Sequence, residues 1–92
     1  MFEWDPRKAV ANLKKHGIGF DVVELFDWDT AIFVEDDRED YGEPRYVAFG
    51  VTIEGKAYAV VYTLRGENIR IISIRSMNKR ERTNYEQEIK GP

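Results

Sequence analysis

Apolar and polar side chains alternate along residues 57–65 and again through residue 75, and the two runs meet at Gly66. A period of two marks a β-strand, in which successive side chains leave on opposite faces. In the first strand this rule sets Tyr58, Val60, Tyr62 and Leu64 against Thr63 and Arg65. In the second it groups Ile71, Ser73 and Arg75 against Arg70, Ile72 and Ile74. Residues 45–53 are rich in strand formers and run into Glu54-Gly55, a tight-turn signal. Together the three runs predict a meander of long strands.

Upstream, Phe2 and Trp4 flank Glu3 in a short alternating strand, and Asp5-Pro6 reads as an N-cap followed by proline at the first helical position. Ala9, Val10 and Leu13 give that helix an apolar stripe, with Lys8, Asn12 and Lys15 on the other side and Gly17 as a left-handed C-cap. A second short helix is expected from Asp21, as cap, to Asp27. Residues 31–34 are β-prone, and the charged stretch Glu35 to Glu43 marks a solvated hairpin tip. Asn78 caps a final helix of residues 79–89, polar nearly all round except for Tyr85 and Ile89. The order β-α-α-β-β-β-β-α predicts one α+β domain over residues 1–92: a small antiparallel sheet of four to five strands, two N-terminal helices and a C-terminal helix, with the helices on one side.

The chain has no cysteine and one histidine, so disulfides and thiolate chemistry are excluded and a zinc site would need carboxylates for its remaining ligands. No metal or cofactor is expected. Neither a secretory leader nor a membrane-length apolar run is legible, which points to the cytoplasm and away from membranes. The net charge of −3 hides a partition: residues 1–18 carry +2, residues 19–43 carry −9, and residues 44–92 carry +4. Local charge decides whether a polyanion is attracted, so RNA remains a candidate ligand despite the acidic total.

Arginine keeps its charge and offers a forked donor to phosphate, which makes Arg65 and Arg75 at the strand ends, and Arg82, candidates to stabilise a phosphoryl group. Arginines at strand ends are more often solvated or paired with carboxylates. His16 titrates near neutrality when unperturbed, and equally suits the C-terminal end of a helix. Proton transfer falls to His16, Lys15, Tyr85 or Glu81, in no settled order. Lys15, Arg45, Thr63 and Arg70 are expected to bind RNA. Tyr85 is also the aromatic side chain best placed to stack on a base, whereas Trp4, Trp28, Tyr46, Tyr58 and Tyr62 are more at home in a core.

Several segments form a larger pattern. Phe2-Glu3-Trp4-Asp5, Lys8, Asn12, Lys15-His16-Gly17 with Phe20, Gly42-Glu43-Pro44-Arg45, Val61-Tyr62-Thr63, Arg65-Gly66, Arg70-Ile71-Ile72-Ser73-Ile74-Arg75 and Glu81-Arg82 with Tyr85 resemble, in order and spacing, the BrnT family. These are toxin halves of bacterial type II toxin-antitoxin pairs. Ile74 and Trp28 depart from the family pattern without touching the arginines. The resemblance implies a RelE-like fold, metal-independent endonucleolytic cleavage of RNA that inhibits translation, and neutralisation by a cognate antitoxin. That antitoxin would carry the DNA-binding part and mediate any contact with operator DNA. The alternative is a non-catalytic module that uses the same arginine-rich face to bind protein or RNA. A DNA-binding repressor is a weaker third reading, since no helix-turn-helix with a basic recognition helix is evident.

Overall fold

A computed structural model describes residues 1–91. The elements are β1 (Phe2–Trp4), α1 (Pro6–His16), a 3₁₀ segment (Phe20–Glu24), β2 (Ile32–Glu35), β3 (Tyr46–Val51), β4 (Ala57–Arg65), β5 (Asn68–Ser76) and α2 (Lys79–Lys90). They build one five-stranded sheet in the order β1-β5-β4-β3-β2.

The meander is present, but the sheet is mixed where an antiparallel one was expected. β2 to β5 pair antiparallel through consecutive connections, whereas β1 lies parallel to β5, with Phe2 opposite Ile69 and Trp4 opposite Ile71. A hairpin fixes the relative direction of its two strands. No hairpin joins β1 to β5, so long-range packing sets that direction.

The caps of α1 agree with the sequence: Asp5 accepts from the Arg7 amide, and Gly17 closes the helix at φ 72. The expected second helix does not form as an α-helix. Residues 20–24 wind as a 3₁₀ segment entered from Gly19, with no side-chain cap from Asp21. Phe26 and Asp27, just beyond it, are drawn into strand-like pairing: Phe26 bridges Thr52, and the Asp27 amide donates to the Val51 carbonyl at 2.9 Å. Gly50 is required there, because a Cβ on it would come within 2.6 Å of the Phe26 ring.

One face of the sheet carries the core. Ala48, Tyr58, Val60, Tyr62, Ile71 and Ile74 pack against Ile18, Phe20, Val23 and Phe26. Trp28 joins them from the side, with its ring 5.5 Å from Phe2 and 5.7 Å from Tyr62. Apolar burial, worth ~25 cal/mol per Å², is what holds this layer together.

The helices do not share one side. α2 sits on the opposite face, where its buried Tyr85 adjoins Ile32, Val34 and Phe49. The apolar stripe of α1 does not turn wholly inward either: Val10 and Leu13 are more than half exposed, and the buried residue of that helix is Asn12.

Candidate active site

The geometry of the site begins with a bulge. Val61 pairs with Ser73 but Tyr62 pairs with Ile71, so Ile72 is an extra residue in β5. Such an insertion shifts the alternation by one. Ile71 and Ile74 therefore both enter the core, while Arg70, opposite Thr63, and Arg75, opposite Ala59, share the face that α2 partly covers. Strict alternation had put Arg70 and Arg75 on opposite faces and grouped Ile74 with Arg70; the bulge corrects both assignments.

Asn12 fixes α1 against this bulged strand. Beyond Trp4, β1 no longer covers β5, and the Asn12 side chain pairs the strand in its place. Its Oδ1 accepts from the Ile74 amide at 3.0 Å, and its Nδ2 donates to the Ile74 carbonyl at 2.9 Å and the Ile18 carbonyl at 3.0 Å. A buried side chain making three such bonds satisfies backbone groups that would each cost about 1–3 kcal/mol if left unpaired. Lys8 and His16 lie four residues either side of Asn12, so docking Asn12 carries both to the same side of the helix.

The result is a solvent-open groove of about 590 Å³ on the α2 side of the sheet. Val34, Val47, Phe49, Val61, Ile72 and Ser73 line its floor. Lys8, Lys15 and His16 of α1 form one wall, Glu35, Asp36, Asp37 and Arg38 lie across from them, and Arg75 completes the lining. The Arg75 fork donates to both oxygens of Glu81 at 2.7 and 2.8 Å, and its side chain remains 38% exposed. That pair, first through its hydrogen bonds, raises the pKa of the guanidinium and lowers that of the Glu81 carboxyl. Glu81 also closes the capping box of α2 by accepting from the Asn78 amide at 2.9 Å.

Of the candidate residues, the groove gathers His16, Lys15 and Arg75. Arg65 does not join them. It lies six residues from Ala59 along β4, about 20 Å at strand rise, and is paired with Glu43 at 3.2 Å. Arg70 is held by Glu3 at 2.6 Å, and the Glu3 carboxyl is lowered first by its bond from Asn68 and then by Arg70. Thr63 is buried, with its hydroxyl donating to the Pro44 carbonyl at 2.6 Å. Arg82 lies by Tyr58 and Ser76 at another edge of the molecule. Tyr85, expected to stack on a base or carry a proton, is buried and donates its hydroxyl to the Thr30 carbonyl at 3.1 Å. Both Glu81 oxygens are engaged by Arg75. Arg45 stands beside Thr63, stacked on Tyr41.

Lys8, Arg38 and Asn12 were not among the sequence candidates. The Lys8, Asn12, His16 spacing was visible, but a polar face on a short helix reads as solvated until the strand it meets is known.

A groove with an exposed histidine, two lysines and a held arginine suits a phosphodiester. The family model described as "Ribonuclease toxin, BrnT, of type II toxin-antitoxin system" matches residues 4–81. The chain belongs to the BrnT family. Among solved structures, it resembles the crystal structure of the Brucella abortus ribonuclease toxin BrnT, with a TM-score of 0.69 and 26% identity over 86% of this chain and 99% of that one. No curated protein sequence matches it. The α+β architecture found here, a five-stranded mixed sheet with two α-helices, is similar to that of the Brucella structure. The match spans every groove residue named above, from Lys8 to Arg75, and ends at Glu81.

Proposed function

We propose that this protein is a metal-independent endoribonuclease, the toxin of a type II pair, and that the groove between α1 and the β2–β3 connection holds the scissile phosphate. The observation that carries this reading is the convergence of His16, Lys8, Lys15 and Arg75 on one open groove in a BrnT family member. The RNA 2′-hydroxyl attacks the adjacent phosphorus in line and the bond to the 5′ oxygen breaks, leaving a cyclic phosphate and a free 5′-hydroxyl. His16, exposed at the groove, is the group assigned to proton transfer. Arg75 and the two lysines stabilise charge on the phosphorane oxygens. Arginine is a poor base because its guanidinium stays protonated in proteins.

Under this reading the chain works in the cytoplasm and its fold is akin to that of RelE-type endoribonucleases. A cognate antitoxin with a DNA-binding part covers the groove, and operator DNA is reached only through that partner. The test is purified, antitoxin-free protein incubated with single-stranded RNA in EDTA. RNA is cut and the all-deoxy equivalent survives, since it lacks the attacking hydroxyl. Strict dependence on added Mg²⁺, or cleavage of the deoxy strand, would defeat the mechanism. No cleavage under any condition would favour the non-catalytic module.

A further inference from the structure

Most arginines on the sheet and its connections are matched with a carboxylate: Arg38 with Asp36, Arg65 with Glu43, Arg70 with Glu3 and Arg75 with Glu81. Arg45 is not in such a pair among the described residues. Its Nε is buried and has no hydrogen-bond partner, and its guanidinium carbon lies 4.0 Å from the centroid of the Tyr41 ring. The ring is itself held: Tyr41 donates its hydroxyl to Asp36 at 3.4 Å, and the same carboxylate takes both bonds of Arg38, at 2.8 and 2.9 Å. Asp36 is thus spent on Arg38 and Tyr41 rather than on Arg45. A guanidinium with no carboxylate partner and a desolvated Nε, fixed on an aromatic platform, is placed to receive an anion.

Its position says which anion. Arg45 comes after Pro44, which accepts from Thr63, and precedes Tyr46, which pairs with Tyr62, so it lies beside Thr63 on the groove face of the sheet. Thr63 and Ala59, which faces Arg75, are four residues apart on β4, about 13 Å at strand rise. Glu81 holds the Arg75 fork and Tyr41 holds that of Arg45, so the two guanidiniums are anchored at separate points along the same face. We propose that Tyr41 and Arg45 form a second, phosphate-binding subsite, which grips the RNA chain away from the scissile bond. The proposal rests on the ribonuclease reading of the groove. Arg45 supplies the contact, and Tyr41 is a positioning residue that holds the fork in place.

The experiment measures salt-dependent binding of a single-stranded 2′-O-methyl oligonucleotide, which keeps its phosphates but lacks the attacking hydroxyl. It is done for the wild type, Arg45→Ala, Arg45→Lys and Tyr41→Leu. Each single-strand phosphate contact contributes about 0.7 to the slope of log K against log salt, so Arg45→Ala lowers the slope by about that amount. Lys restores the slope with weaker affinity, because it keeps the charge and loses the fork. Tyr41→Leu weakens binding in the same direction. With cleavable RNA the loss falls on KM rather than kcat and grows with chain length from a dinucleotide upwards. An unchanged slope in Arg45→Ala overturns the subsite, as does an equal loss for dinucleotide and long RNA. Weakened association with the antitoxin alone, at constant RNA affinity, would assign Arg45 to a protein interface and overturns it too. Should Arg45→Ala fail to fold, judged by thermal unfolding, Arg45→Lys and Tyr41→Leu carry the test. Failure of the wild type to cleave RNA sinks the ribonuclease reading separately, because the slope is read on an uncleavable strand.

Discussion

At the scale of single residues, what separates function from structure here is which polar atoms are already spent. Tyr85 and His16 are both titratable side chains on helices, yet the Tyr85 hydroxyl is committed to Thr30 inside the fold while His16 stands exposed at the groove. Their replacements should therefore behave in opposite ways. Tyr85→Phe is expected to cost about 0.5–1.5 kcal/mol in stability, the net worth of one hydrogen bond, and to leave RNA cleavage intact. His16→Gln is expected to leave the melting temperature unchanged and lower kcat by about 10²–10⁴, the usual share of a general acid-base group. Thermal unfolding and single-turnover cleavage on the same two variants check both halves. A normal rate for His16→Gln would remove it from the chemistry.

At the scale of elements, α2 is tied to the site through one carboxylate. Glu81 caps its own helix and holds Arg75, so helix docking and arginine orientation share a fate. The Glu81 carboxyl is held below its ordinary value of 4.5, chiefly by the hydrogen bond from Arg75. A depressed folded-state pKa contributes stability that is fully present above the unfolded value and is lost as pH falls through the folded one. Amides in the first turn of α2 are thus expected to lose hydrogen-exchange protection on acidification below about 4.5, the ordinary value of such a carboxyl, ahead of amides in β4. Simultaneous loss across both elements would place the acid-sensitive contact elsewhere.

Much of this level was legible in the sequence. The caps Asp5, Gly17 and Asn78 and the alternation of β4 are local signals, and they delivered α1, α2 and the meander. The misreadings were all set by partners distant in sequence. The direction of β1 depends on β5, the 3₁₀ segment is cut short by the Phe26–Thr52 bridge, and the bulge at Ile72 moves Arg75 relative to Arg70 without any glycine or proline to announce it.

At the scale of the whole molecule, the acidic middle of the chain finds a role that its composition did not disclose. The loop between β2 and β3 is a largely exposed hairpin end, as expected, yet within it Asp36 is buried against Arg38 and Glu43 reaches Arg65. Acids from this segment neutralise two arginines, Arg38 within it and Arg65 of the basic flank, and Glu3 and Glu81 neutralise Arg70 and Arg75. Sequence proximity could not say that, of the arginines on the sheet and its connections, Arg45 has no carboxylate partner among the described residues. The resemblance carried the family and the chemistry, while the geometry separates Arg75, at the groove, from Arg65, about 20 Å away along β4.

That separation allows the most direct test of the account. The measurement is the single-turnover cleavage rate of RNA by Arg75→Ala and Arg65→Ala, side by side, with each melting temperature recorded. The Arg65–Glu43 pair is half exposed, with the Arg65 side chain at 51%, and contributes little to stability. Arg75→Ala is predicted to slow cleavage by roughly a hundredfold or more, the scale on which one lost transition-state donor is felt. Arg65→Ala is predicted to slow it by less than about tenfold, as befits a group outside the reacting centre. An equal loss in both variants, or the larger loss at Arg65, would contradict a catalytic centre in the groove between α1 and the β2–β3 connection.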